Sequence, residues 1–253
     1  MKNTYLKILA GATYIAMVVV NFMANALPIN NRSTGDISDA YPNLFAPAGP
    51  AFAIWGLIYL LLAGYVIYQF TKKDQKTEDL MKQISPLFIY TSLANIMWIF
   101  AWHYDFIGVS VLIMTTLLIL LIKIADILRA QKFKSLQKLF IYAPFSIYFG
   151  WITVATIANI TVFLVSFGWS GFGIAEYAWT NIILLVGAII GILRMHKDKN
   201  IAYGMVLVWA YFWILFKHIS MNGFGGLYPS IIVTTATCLT LFIIFGIRQH
   251  SNK

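Results

Sequence analysis

Residues Tyr41–Leu60 read YPNLFAPAGPAFAIWGLIYL. Prolines, alanines and a glycine give way within a few positions to an unbroken apolar run that holds Phe52, Trp55 and Tyr59. A run of this kind needs hydrocarbon or a protein core around it, and the same pattern recurs along the whole chain. Composition agrees: 60% of the 253 residues are hydrophobic and 11% are charged, against roughly 25% charged in a soluble domain. Runs near the ~20 residues that a helix needs to cross a bilayer fall at 6–27, 49–70, 84–103, 106–128, 139–166, 175–195, 201–220 and 227–247. These predict an all-α polytopic membrane protein with eight spans. Only His103, Tyr104 and Asp105 separate the third run from the fourth. A single re-entrant helix is the alternative there, but the combined length suits two crossings.

The net charge of +9 does not mark a nucleic-acid surface, because its distribution is one-sided. Of the 18 Lys and Arg residues, only Arg32 and Lys217 fall outside one alternating set of termini and loops. That set runs from Lys2 and Lys7 through Lys72–Lys82, Lys123–Lys138 and Arg194–Lys199 to Arg248 and Lys253. By the positive-inside bias, both termini are expected in the cytoplasm, with the 28–47 segment outside and a bacterial cell membrane as the setting. The first run lacks a small-residue cleavage site and reads as a retained span. Cys238 stands alone, so no disulfide framework or cysteine metal cluster is expected.

Residues 28–47 are rich in turn chemistry, with Pro, Gly, Asn, Asp and Ser throughout. A segment this long without secondary structure is either a solvated linker or a lid. Its ending, LFAPAGP, favours a return of apolar residues towards the helix mouths. Pro50 suits the first turn of the second span, where its missing N–H is not needed. Pro47 keeps Ala46 extended. Counted from Pro50, Trp55 lies roughly 8 Å along the helix, deeper than a headgroup anchor.

Eight tryptophans pose the question of belt against cavity, since indoles favour membrane interfaces. Trp169 and Trp179 flank a connection and fit a belt. Trp209 and Trp213 share a face and fit either belt or packing. Trp55, Trp98, Trp102 and Trp151 accompany small or polar residues at helical spacing. Asn95 and Trp98 share a face, as do Trp151, Ala155 and Asn159. Each Asn needs a partner within the membrane. It finds one in a neighbouring helix or orients a flat apolar ligand in a cavity.

The segments FAIWGLIY, LANIMW and WITVATIAN resemble the TspO/MBR family, the tryptophan-rich sensory and translocator proteins. Trp55 and Tyr59 match its second-helix pair, and Asn95 with Trp98 matches the Asn-x-x-Trp of its third. Trp151, Thr153, Ala155, Thr156 and Asn159 match its fifth-helix motif, with Val154 at the Phe. The resemblance covers about residues 1–167. It implies a five-helix bundle, 1–167, to which 168–253 add three further helices. It also implies a pocket capped by the first loop, with Ala51, Trp55, Asn95, Trp98, Trp151, Ala155, Ala158 and Asn159 as ligand-binding candidates. Family members bind porphyrins, and some bind sterols or synthetic ligands; some bacterial members are described as degrading protoporphyrin under light. The chain departs from the family at Ile147, where a Pro precedes the Tyr, and at Asn43-Leu44-Phe45, which lacks a loop Trp. Residues 160–163 also lack the aromatic-Arg end of the sterol motif.

The expected partners are the bilayer and a small hydrophobic ligand, tetrapyrrole-like, with no required cofactor and no nucleic acid; a homodimer is a possible assembly. A receptor or sensor is the favoured class, with a transporter and a membrane enzyme as alternatives. No span carries a carboxylate at mid-depth, which counts against ion-coupled transport. No nucleophile–base motif or clustered metal ligands are visible. Lys217 invites comparison with a retinal Schiff base, but it lies ~24 Å along its helix from Ile201, at interfacial depth. With His218, Glu176, His103 and Asp105 it forms either an exposed set of interfacial charges or a rim for an anionic group. Asp126 and Lys123 read as a local pair.

Overall fold

The computed structural model describes residues 2–27, 29–71 and 73–251. Pro28 of the first loop, and Lys72 and Lys253 of the one-sided charge pattern, lie outside the described residues. The described chain is helical throughout. Its elements are α1 (Lys2–Ala26), α2 (Thr34–Asp39), α3 (Ile54–Tyr68), α4 (Gln75–His103), α5 (Ile107–Arg129), α6 (Ala143–Ser166), α7 (Glu176–Asp198), α8 (Ile201–Ile219) and α9 (Pro229–Ser251). All but α2 belong to segments long and apolar enough to span a bilayer, which makes eight spans.

Sequence chemistry accounts for the boundaries. α4 starts at 75, well before the run read from 84, because Asp74 caps it: its carboxylate accepts from the Thr77 N–H at 2.8 Å. Glu78 then places a negative charge in the first turn, beside the positive helix end. Between α4 and α5 the chain turns through Asp105, which adopts φ 57°. The two helices pack as separate crossings rather than as one re-entrant element. α6 is preceded by a π turn, Lys138–Tyr142, in which the Ala143 N–H reaches back to the Lys138 carbonyl. Pro144, with no N–H of its own, follows at the start of the regular helix. α7 and α8 are joined tightly through Lys199 and Asn200, the latter accepting from the Tyr203 N–H at 3.0 Å.

α4 is the most enclosed span, flanked by α1 and α5, and α6 links the first five spans to the rest by packing on α8. That contact requires Gly150: a Cβ there would lie 2.8 Å from Val206 Cβ and 3.0 Å from the Tyr203 carbonyl oxygen. Small residues at such crossings let backbones approach closely in lipid. The same joint carries hydrogen bonds from Asn200 to Ser146 (2.8 Å) and from Tyr203 to Thr153 (3.3 Å). On the terminal side, Asp126 pairs with Arg194 at 2.9 Å, and Arg129 and Lys197 lie at 3.7 and 3.8 Å. Its partners are therefore mainly on α7, not Lys123 one turn away. Lys7 and Lys73 lie at 3.0 and 3.8 Å from Glu78 and tie α1 and the α3–α4 connection to α4.

The 28–47 segment is not structureless. Ser33 and Asp36 form a reciprocal capping box at the start of α2, with the Asp36 carboxylate accepting from the Ser33 N–H at 2.7 Å. That backbone bond, with the Ser33 hydroxyl, holds the Asp36 carboxyl below its ordinary range. The pattern Ser33-x-x-Asp36 is the local signal for this helix. Leu44, Phe45 and Ala46 are buried, so the apolar end of the loop does fold inward.

Candidate functional site

α2 and residues 41–48 lie as a lid over the mouths of α3, α4, α5 and α6. Asn43 shapes the lid locally, its carboxamide oxygen accepting from the N–H groups of Phe45 (3.1 Å) and Ala46 (2.8 Å). Ties to the helices come from several sides. Arg32 forms an ion pair with Asp105, which also accepts from the Tyr41 hydroxyl at 3.2 Å. Asn30 donates to the His103 carbonyl (2.9 Å), and Trp102 donates its indole N–H to the Thr34 carbonyl (3.2 Å). His218 bonds the Leu44 carbonyl at 2.9 Å. Farther along, the Ala48 N–H reaches the Trp213 carbonyl (3.2 Å), and the Trp209 indole donates to the Ala51 carbonyl (2.9 Å). Trp209 and Trp213 thus fasten the start of α3 to α8.

The five polar residues read as a rim or as exposed charges are dispersed. Asp105 pairs with Arg32, and His103 and His218 are fully buried on backbone carbonyls. Lys217 Nζ sits over the Phe224 ring, 5.6 Å from its centre. Glu176 belongs to a separate cleft by Trp179.

Beneath the lid is a chamber with about 50 Å3 of free space. Its walls include Trp55, Trp98, Trp151, Ala155, Ala158 and Asn159, which the sequence had separated by more than a hundred positions. Phe52, Trp102 and Met114 complete them, with Thr34, Ser38 and Pro47 above. The aromatic rings interlock: Trp55 stacks on Tyr59 (centroids 5.5 Å) and meets Trp151 (6.3 Å) and Tyr148 (5.9 Å) edge-on. Phe52 contacts Trp151 edge-on at 5.9 Å, and Trp98 stacks on Trp102 at 5.5 Å. A groove of about 650 Å3 adjoins it between α1 and α3 and shares Thr34, Phe52, Trp55 and Trp98 as walls. The groove lies within the ~300–1,000 Å3 range of small-molecule pockets.

Of the candidates, Ala51 and Asn95 stand apart, since neither lines either space; Ala51 is fully buried and its carbonyl accepts from Trp209. The two asparagines divide. Asn159 is saturated within the bundle, accepting from the Trp98 indole N–H (2.9 Å) and donating to the Ser110 hydroxyl (2.9 Å). Asn95 accepts from Asn21 Nδ2 at 2.6 Å, and its side chain faces the Tyr148 hydroxyl. The Tyr59 hydroxyl and the Trp151 indole N–H are buried without a hydrogen-bond partner among the described residues, the first on the wall of the groove and the second on the wall of the chamber. Both can donate a hydrogen bond.

Asn21 and Asn25 of α1 also line the groove. Their spacing of four, with Phe22 between, was the available sign of a polar strip on an otherwise apolar span.

No match is found among curated proteins or among solved structures. The family model for TSPO-like protein matches residues 7–248, continuing past the 1–167 segment through the last three spans. With that match spanning nearly the whole of an eight-span helical chain, the chain belongs to the TSPO-like protein family.

Proposed function

We propose that the protein is a membrane receptor or sensor for a small, flat hydrophobic molecule, tetrapyrrole-like in shape, held beneath the lid against Trp55, Trp98 and Trp151. The observation that carries this reading is an aromatic chamber walled by Trp55, Trp98, Trp102 and Trp151, adjoined by a groove of about 650 Å3, with the Trp151 indole N–H unpartnered on the first wall and the Tyr59 hydroxyl on the second. A ligand with an acceptor atom and a π-face satisfies both features at once. Family membership supports the ligand class, since TspO-type proteins bind porphyrins. Transport and enzymatic conversion are the competing outcomes, read as ligand flux across sealed vesicles and as product formation.

Protoporphyrin titrated into nanodiscs carrying the full chain is expected to quench tryptophan fluorescence saturably. Trp55→Ala should weaken binding several-fold, since an aromatic pair contributes about 0.5–1.5 kcal/mol beyond area. The belt variant Trp169→Phe should bind like the parent. Quenching that never saturates, or that ignores Trp55, removes the reading.

The orientation is part of the proposal: termini in the cytoplasm and the lid outside, from the one-sided Lys and Arg distribution. In intact cells, a membrane-impermeant thiol reagent should label Ser33→Cys and spare Lys76→Cys. The opposite pattern inverts the protein.

A further inference from the structure

We propose that the cleft between lid residues 42–44, the end of α6 and the start of α7 is a second binding site, for an ammonium-bearing organic cation with an apolar body. It shares no wall with the chamber or the groove, so it stands whatever those spaces hold.

The cleft has a volume of about 410 Å3, within the ~300–1,000 Å3 range of small-molecule pockets. Leu44, Leu164 and Ile183 give it apolar walls. Two indoles line it, Trp169 and Trp179, with ring centroids 5.1 Å apart and planes at 56°. Glu176 is the one charged side chain in the lining, and it forms no ion pair among the described residues.

The indoles are held in place by a shaped loop. Trp179 donates its N–H to the Gly171 carbonyl at 2.8 Å, so it is turned back on its own loop rather than towards headgroups. Gly171 has φ 65°, and a Cβ there would lie 3.1 Å from Trp179 Cδ1 and Nε1. Phe172 beside it takes φ 54°, an uncommon conformation for a residue with a side chain. Its ring meets Trp169 edge-on at 5.6 Å.

The remaining polar groups are largely spent. The Asn43 carboxamide serves the lid backbone, and the Thr161 and Thr180 hydroxyls donate to carbonyls one turn back. What is left for an occupant is a carboxylate, the small Ser170 hydroxyl, two indole rings and apolar surface. An indole face and a carboxylate both attract positive charge. A metal ion needs several oxygen ligands, and one carboxylate does not supply them. The basic residues at this end do not compete: Arg32 is paired with Asp105, Lys217 sits over Phe224, and neither lines the cleft. A carboxylate in the first turn of α7 also suits the positive helix end, but that does not account for the two indoles beside it.

Benzyltrimethylammonium is the probe, with neopentylbenzene, in which carbon replaces the charged nitrogen, as its uncharged isostere. The full chain is placed in nanodiscs of uncharged galactolipid and titrated by calorimetry, with empty nanodiscs as the blank. One saturable site per chain is expected for the cation and none for the isostere. Glu176→Gln and Trp169→Leu should each weaken the cation by about two- to fivefold, the size of an exposed charge pair and of an exposed cation–π contact. Trp169→Phe, which keeps a ring, should fall between Trp169→Leu and the parent. Adding phosphatidylethanolamine to the nanodisc separates the two sources of an ammonium group. Competition with the probe supports the site and assigns it to a lipid headgroup, and unchanged binding supports it and assigns it to a free amine. No saturable cation binding, equal uptake of cation and isostere, or parent-like affinity in both Glu176→Gln and Trp169→Leu overturns the proposal. Because Glu176 is exposed and the change to Gln removes only charge, a weakened titration there is not a folding defect.

Discussion

Ala155→Leu is expected to lose most of the affinity for a porphyrin while leaving the fold in place. Ala155 sits on the face of α6 that carries Trp151 and Asn159, and it lines a chamber with about 50 Å3 of free space. That is little more than the ~30 Å3 share of one liquid water. A porphyrin therefore binds only by spreading these walls towards the adjoining groove of about 650 Å3, and a leucine at 155 takes up the space so gained. Extra methylenes in a packed interior cost about 1–3 kcal/mol. Applied to the bound state alone, this is a loss of roughly five- to 150-fold in Kd, at 1.4 kcal/mol per tenfold. Fluorescence titration in nanodiscs measures it, with thermal unfolding as the control. An Ala155→Leu protein that binds like the parent places the ligand elsewhere.

Asn159→Leu and Asn95→Leu are expected to fail in different ways. Removing the Asn159 amide leaves the Trp98 indole N–H without its acceptor, whereas Ser110 still holds the Ile107 carbonyl at 2.7 Å. An unsatisfied buried donor costs about 1–3 kcal/mol, and in membranes such bonds average nearer 0.6 kcal/mol. A stability loss of about 1 kcal/mol is therefore expected for Asn159→Leu, between those scales. Asn95 is engaged by Asn21, faces the Tyr148 hydroxyl and lines neither the chamber nor the groove. Asn95→Leu should therefore act through Tyr148, whose ring meets Trp55 edge-on, a change seen in Kd more than in unfolding. If Asn159→Leu leaves stability untouched and Asn95→Leu leaves binding untouched, the division of labour between the two amides is wrong.

The spans were legible in the sequence because lipid demands apolar length, and no tertiary detail alters that demand. Helix ends were less so: the Asp74 cap and the Ser33–Asp36 box each act through a pair of local hydrogen bonds, which the apolar runs do not register. The faces carrying Trp98, Trp151, Ala155 and Asn159 followed from helical period, and the fold brings them together. Which amide is saturated did not follow, since it depends on Ser110 and Asn21 in other helices. Ala51 shows the converse: its place in the family motif is met by packing against Trp209 rather than by the cavity. The groove was invisible because it is made by what α1 and α3 lack, most of all at Gly56.

The central claim is that a flat hydrophobic ligand sits beneath the lid, against Trp55. A photoreactive porphyrin bound to the full chain in nanodiscs, cross-linked and mapped by peptide mass spectrometry, tests it most directly. The expected adducts fall on α2, on α3 around Phe52 and Trp55, and on α6 around Trp151 and Ala155, and excess protoporphyrin removes them. Adducts confined to residues 168–253, such as the lipid-facing cleft by Met205 and Phe242, would contradict it.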